Sequence, residues 1–179
     1  SNGNFVLVGD QSGALLWWHF RPGISPGPLV KGHSESGPLL VAGAATFVSS
    51  GGWDPTVKLW AAGESAPRRT LQPLAGRITA LCAQGADVLI AGSQPADKKR
   101  DAAQKDQAPQ QPGQLLKMDP SGQTTAVPIE AKGQISGLAC GPGWLLALDS
   151  GRKDSLILLR DSRQSAVMVA SGPVTALAS

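Results

Sequence analysis

Three side chains that together can activate a nucleophile fall close together in this chain: His33, Ser50 and Asp54. A hydroxyl, an imidazole and a carboxylate within hydrogen-bonding reach of one another make a Ser-His-Asp triad. The surroundings argue against that use. Ser50 sits in TFVSSGG and lacks a nucleophile-elbow context such as G-x-S-x-G. Trp60 follows, and its indole N–H can only donate, whereas a carboxylate can only accept. A histidine and a serine can relay between two such ends. A buried network satisfied in that way pins strands together.

The remaining chemistry is sparse. G-x-G-x-x-G is absent, no paired carboxylates share a context, and no Cys/His cluster has zinc spacing. The second histidine is His19. Cys82 and Cys140 each close an apolar run and read as buried thiols rather than a disulfide, because two cysteines make no framework. Arg68 and Arg69 read as charges that blunt an edge strand; the alternative is a phosphate or phosphoinositide site. Asp97 to Asp101, DKKRD, reads as a solvated charge run. A net charge of +3 is too slight to argue for nucleic acid. No stretch of about 18 apolar residues is present, so no membrane span is expected. No basic, then apolar, leader opens the chain. It starts with Ser, which suggests a fragment or a processed chain.

The elements that must position these residues are short strands. With 22 Gly and 14 Pro among 179 residues, the composition fits many turns rather than long helices. Around the histidine, Leu39 to Ala42 and Thr46 to Ser50 are apolar runs. Gly51, Gly52, Asp54 and Pro55 turn the chain, and Thr56 to Trp60 alternates with period two.

The order Gly32-His33, Ser50, Asp54, Trp60 resembles the WD-repeat family, which builds β-propeller blades of four strands from repeats of roughly 40–45 residues. The namesake pair is Trp60-Ala61 here, so its Asp is missing. The resemblance implies an all-β fold, a WD-repeat-type propeller of about four blade equivalents of four-stranded antiparallel sheet. It also implies a structural tetrad of His33, Ser50, Asp54 and Trp60. Ser150, Asp154 and Arg160 repeat the spacing of Ser50, Asp54 and Trp60, and suggest a variant tetrad with a guanidinium as donor.

The blades are expected at 174–179 joined to 4–30, then 38–71, 78–129 and 135–170. In the first, Trp18 matches Trp60, and Trp17 alternates to the other face. In the third, residues 93–114 read as a flexible insertion, rich in Gln, Ala, Lys, Asp and Pro with no apolar period. ITALC at Ile78, ISGLA at Ile135 and VTALA at Val174 repeat as first strands. Three arrangements remain open: a compact four-blade ring, an arc completed by another chain or segment, and a portion of a longer protein. The arc or portion is the expectation.

A propeller of this kind implies a protein-interaction scaffold within a multi-subunit assembly, intracellular and in the cytoplasm, with no cofactor and no metal. Two alternatives stand beside it. One is a lipid-headgroup binder using Arg68 and Arg69. The other is an enzyme using the central channel, disfavoured because the first strands carry no acid, base or cation. The partner-binding expectation rests on the turns between second and third strands. There Trp53, beside Asp54, has no obvious place in a sheet core, and Gln11 and Lys153 occupy the matching positions.

Overall fold

The computed structural model describes residues 5–19, 23, 27, 29–33, 39–42, 47–50, 54–93, 112–151, 155–160 and 163–169. Fifteen strands in that portion form four antiparallel sheets. Sheet 1 holds β1 (Phe5–Gly9), β2 (Ala14–His19) and β3 (Leu29–Lys31). Sheet 2 holds β4 (Leu39–Ala42), β5 (Phe47–Ser50), β6 (Val57–Trp60) and β7 (Arg69–Leu71). Sheet 3 holds β8 (Ile78–Gln84), β9 (Asp87–Gly92), β10 (Gln114–Met118) and β11 (Thr124–Ala126). Sheet 4 holds β12 (Ile135–Gly141), β13 (Trp144–Asp149), β14 (Ser155–Arg160) and β15 (Arg163–Val169). In each sheet the strands follow one another in chain order, so every sheet is an up-and-down meander. Consecutive four-stranded meanders of this kind are the blades of a β-propeller.

Turn chemistry sets the strand boundaries. Asp10 in DQSG accepts from the Ser12 amide at 2.8 Å and the Ser12 hydroxyl at 2.6 Å. Asp119 in DPSG repeats the arrangement with the Ser121 hydroxyl at 2.6 Å and the Gln123 amide at 2.9 Å. Both turns end on a glycine with φ of 84°, a conformation that suits Gly. The DPSG turn also moves the outer strand of sheet 3. Sequence reading puts that strand at Ala126 to Ile129, whereas it runs Thr124–Ala126, stopping short of Pro128, which has no N–H for a ladder.

Alternation puts the core between the sheets. Leu15 and Trp17 of sheet 1 pack with Trp60 of sheet 2. Val48, Val57 and Leu59 of sheet 2 pack with Val88, Ile90 and Met118 of sheet 3. Leu89, Ala91 and Leu115 of sheet 3 pack with Leu145, Ala147, Ile157 and Leu159 of sheet 4. The repeated Ile-led motif carries a repeated irregularity. The register shifts between Ile78 and Ala80 in β8, and between Ile135 and Gly137 in β12. The extra residue turns Ile78 toward sheet 2, while Ala80 and Cys82 face sheet 4.

First strands of consecutive sheets lie side by side, β4 with β8 and β8 with β12. That adjacency joins Cys82 to Cys140 in a disulfide, with Cα atoms 6.2 Å apart. The expectation of two buried thiols is therefore corrected. Both cysteines are buried in strands as expected, but neighbouring first strands bring them face to face.

The segment 94–111 lies outside the described residues. Its flanks are ordinary hairpin partners, with Gln114 paired to Gly92 and Leu115 to Ala91. Gln114 thus belongs to β10 and not to the insertion.

Candidate structural clasp and partner-facing turns

Gly32 and His33 enter sheet 2 beneath a turn of sheet 1. Both amides donate to the Gly13 carbonyl, at 3.1 and 2.9 Å. Position 32 requires glycine, since a Cβ there would stand 2.4 Å from Leu15 Cδ1. The close approach drives the His33 ring inward, where it is 1 % exposed.

The buried network runs through four side chains. Trp60 Nε1 donates to Ser49 Oγ at 2.8 Å, and Ser49 Oγ lies 2.8 Å from His33 Nε2. His33 Nδ1 lies 3.2 Å from Asp54 Oδ2, and Asp54 Oδ1 accepts from the Thr56 amide at 2.9 Å. The indole can only donate, so Ser49 Oγ accepts from it, and the Asp54 carboxylate can only accept, so His33 donates to it from Nδ1. Burial of the ring favours the neutral imidazole, and in that form Nε2 accepts from the Ser49 hydroxyl.

Electrostatics agree with that assignment. Burial lowers the His33 pKa, the Lys58 charge lowers it further, and Asp54 offsets part of the effect. Lys58 Nζ itself donates to the Gly32 carbonyl. Burial pushes the Asp54 carboxyl up, but hydrogen bonds from Thr56 and His33 outweigh it and hold the group below the usual value.

The serine of the network is Ser49, not Ser50. Register explains the correction. Ser49 pairs with Lys58 and so shares a face with Trp60, two residues along. Ser50 pairs with Val57, one step along the ladder from Ser49 and Lys58. A one-residue slip in a strand exchanges the faces. Ser49, His33 and Asp54 have the order of a catalytic triad, but Ser49 is 0 % exposed and its hydroxyl is occupied at both ends.

Sheet 4 solves the same problem differently. Of the expected trio, the Ser150 hydroxyl donates to the Gln134 carbonyl at 2.9 Å and Arg160 is exposed, while Asp154 lies outside the described residues. The link comes from Asp149, at the position equivalent to Ser49. Its two oxygens accept from the Lys132 and Gly133 amides, each at 2.8 Å, and it is 2 % exposed. The doublet Asp149-Ser150 beside Ser49-Ser50 was the sequence signal, readable only once the face is known.

In sheet 1 the tryptophans divide by alternation. Trp17 is buried and donates to the Glu64 carbonyl of the neighbouring sheet at 2.8 Å. Trp18 is 46 % exposed. Of the partner-facing positions, Gln11 is exposed in the β1–β2 turn, while Trp53 and Lys153 lie outside the described residues. Arg68 is engaged by Glu64 at 2.9 Å. That pairing partly neutralises the Arg68-Arg69 doublet.

Sequence reading also missed a groove at the opposite ends of the strands, between sheets 3 and 4. It encloses about 190 Å³ and is lined by Gln84, Leu89, Lys117, Val127, Trp144 and Leu159. Gln84 ties its floor together, donating to the Gly141 and Trp144 carbonyls at 2.7 and 3.0 Å. Lys117 at the rim pairs with Asp87 at 2.7 Å.

No family model matches this chain, and no curated protein sequence does either. Solved structures do match. The chain is similar to the computationally designed Ika4 protein, with TM-score 0.66 and 17 % identity over 89 % of this chain and 87 % of that one. It is similar to a chain in the mitotic checkpoint complex, with TM-score 0.68 and 18 % identity over 95 % of this chain and 52 % of that one. It is similar to U3-55K, with TM-score 0.66 and 17 % identity over 94 % of this chain and 47 % of that one. At such identities the likeness is one of fold. The chain spans about half the length of the last two.

Proposed function

We propose that this chain is a protein-interaction scaffold, a propeller arc that presents its turns to partner proteins within a larger assembly. The observation that carries the reading is where the polar chemistry is spent. The Ser-His-Asp constellation is sealed behind Trp60, the buried Asp149 carboxylate is consumed by backbone amides, and the disulfide fastens two sheets. Each of these groups stiffens the frame. The likeness in fold to a chain of the mitotic checkpoint complex supports an assembly role.

The contact surface in this reading is the end of the arc that carries the turns β1–β2, β5–β6 and β13–β14, with Trp53 as the anchor and Gln11 and Lys153 on the rim. Large aromatics dominate interface energies, and truncating one costs roughly 2 kcal/mol or more. The test is partner capture by the intact chain and by Trp53→Ala, with melting temperatures measured alongside. Capture should fall in Trp53→Ala at an unchanged melting temperature. A large drop in stability with capture intact would make Trp53 a structural cap and overturn the interface.

A further inference from the structure

Sheet 1 is apolar on both faces. Leu15 and Trp17 point into the junction with sheet 2. The alternate residues form the other face: Val6 pairs with Trp18, Val8 with Leu16, and Leu16 with Leu29. That face is open, with Val6 36 %, Val8 46 %, Trp18 46 % and Leu29 66 % exposed. These are four of the five large hydrophobic residues most exposed among the described ones.

Sheet 4, at the other end of the arc, has the same construction. Leu145, Ala147, Ile157 and Leu159 face sheet 3. The alternate residues make two leucine pairs on the far side, Leu146 with Leu158 and Leu148 with Leu156; Leu148 is already buried and the other three are half-buried, so this face is less open than that of sheet 1. Each junction within the chain is an apolar row of one sheet set against an apolar row of the next. Both end faces are built to the same rule. Closure of sheet 4 onto sheet 1 in one chain would cover Val6, Val8 and Trp18, and they are exposed.

We propose that the arc closes with a second copy of itself, the open face of sheet 1 in each copy seated on the leucine face of sheet 4 in the other. Two observations favour a second copy. The two faces lie at opposite ends of one arc, so a two-fold axis makes two identical junctions and leaves no end open. The junctions continue the packing already present between sheets 1 to 4. This inference stands apart from the turn-contact reading.

Sedimentation equilibrium of the whole chain across the micromolar range tests it. The expected mass at the upper end is twice the 18.4 kDa of one chain. Val8→Lys and Trp18→Glu change exposed residues, so melting should be little affected, and each should raise the dimer Kd by at least about 30-fold. Val167→Glu, on the outer strand and 50 % exposed, should leave the dimer intact. A wild-type chain that stays at 18.4 kDa throughout overturns the proposal. So does association indifferent to the sheet 1 variants, or growth beyond two copies into an open string.

Discussion

Sheets 2 and 4 anchor the same piece of backbone with different chemistry. In each, the second strand must hold the segment that leads into the first. Sheet 2 reaches it from Ser49 to His33, and sheet 4 from Asp149 to Gly133, over the same separation of 16 residues. Sheet 2 uses three further side-chain groups, an indole, an imidazole and a carboxylate, and places a neutral histidine between them. Sheet 4 dispenses with all of them, because one carboxylate can take two backbone amides directly. The requirement is that the turn amides and the strand face be tied; which side chains do so is negotiable.

The largest effect should come from the simpler clasp. Asp149→Ala removes a charged acceptor from the buried Gly133 amide and from the part-buried Lys132 amide, and an orphaned buried donor costs roughly 1–3 kcal/mol. Urea unfolding should therefore show a loss of roughly 2–4 kcal/mol, most of it from Gly133. A loss under about 1 kcal/mol would mean that water replaces the carboxylate and that sheet 4 needs no side-chain clasp.

Sheet 2 offers a sharper contrast with a smaller expected loss. Ser49→Ala leaves both the Trp60 indole and the His33 Nε2 unpaired, but the lost bonds join neutral groups and are weaker than those to a carboxylate, so the cost should be roughly 1–3 kcal/mol. Ser50→Ala, one residue along, should spare the network. If thermal melting ranks the two variants in the opposite order, the assignment of Ser49 is wrong.

The smallest effect is one of pH, and it belongs to sheet 2. The folded His33 has a lowered pKa, so the unfolded chain takes up that proton first as pH falls below about 6.5. Stability is full above that value and declines beneath it, by at most about 1.4 kcal/mol per pH unit for one proton. Asp54, also lowered, adds a further loss under more acid conditions. Between pH 7 and 5 the wild type should lose stability and His33→Gln should not. Equal slopes for the two would place the acid sensitivity outside this network.

Much of the fold was legible because period-two runs and turn residues punctuate the chain so densely. ITALC and ISGLA even repeat their strand irregularity. What sequence could not decide was facing. Ser49 and Ser50 are chemically identical neighbours, and the choice between them depends on the pairing of β5 with β6. The same uncertainty hid Asp149, which looks like any strand-end carboxylate until its face is known. The disulfide was missed for a different reason. Cys82 and Cys140 belong to different repeats, and repeat counting by itself does not reveal that equivalent first strands run side by side. The outer strand near Pro128 failed locally, where an Asx turn drew the pairing toward Thr124.

The bridge between Cys82 and Cys140 spans 58 residues of chain, and the segment 94–111 lies wholly inside that span. A peptide bond cut anywhere in the segment therefore divides the backbone without dividing the molecule. The two pieces remain one covalent species until a reductant is added, and β9 still lies against β10 across the break. In topological terms the third repeat is splinted by the fourth.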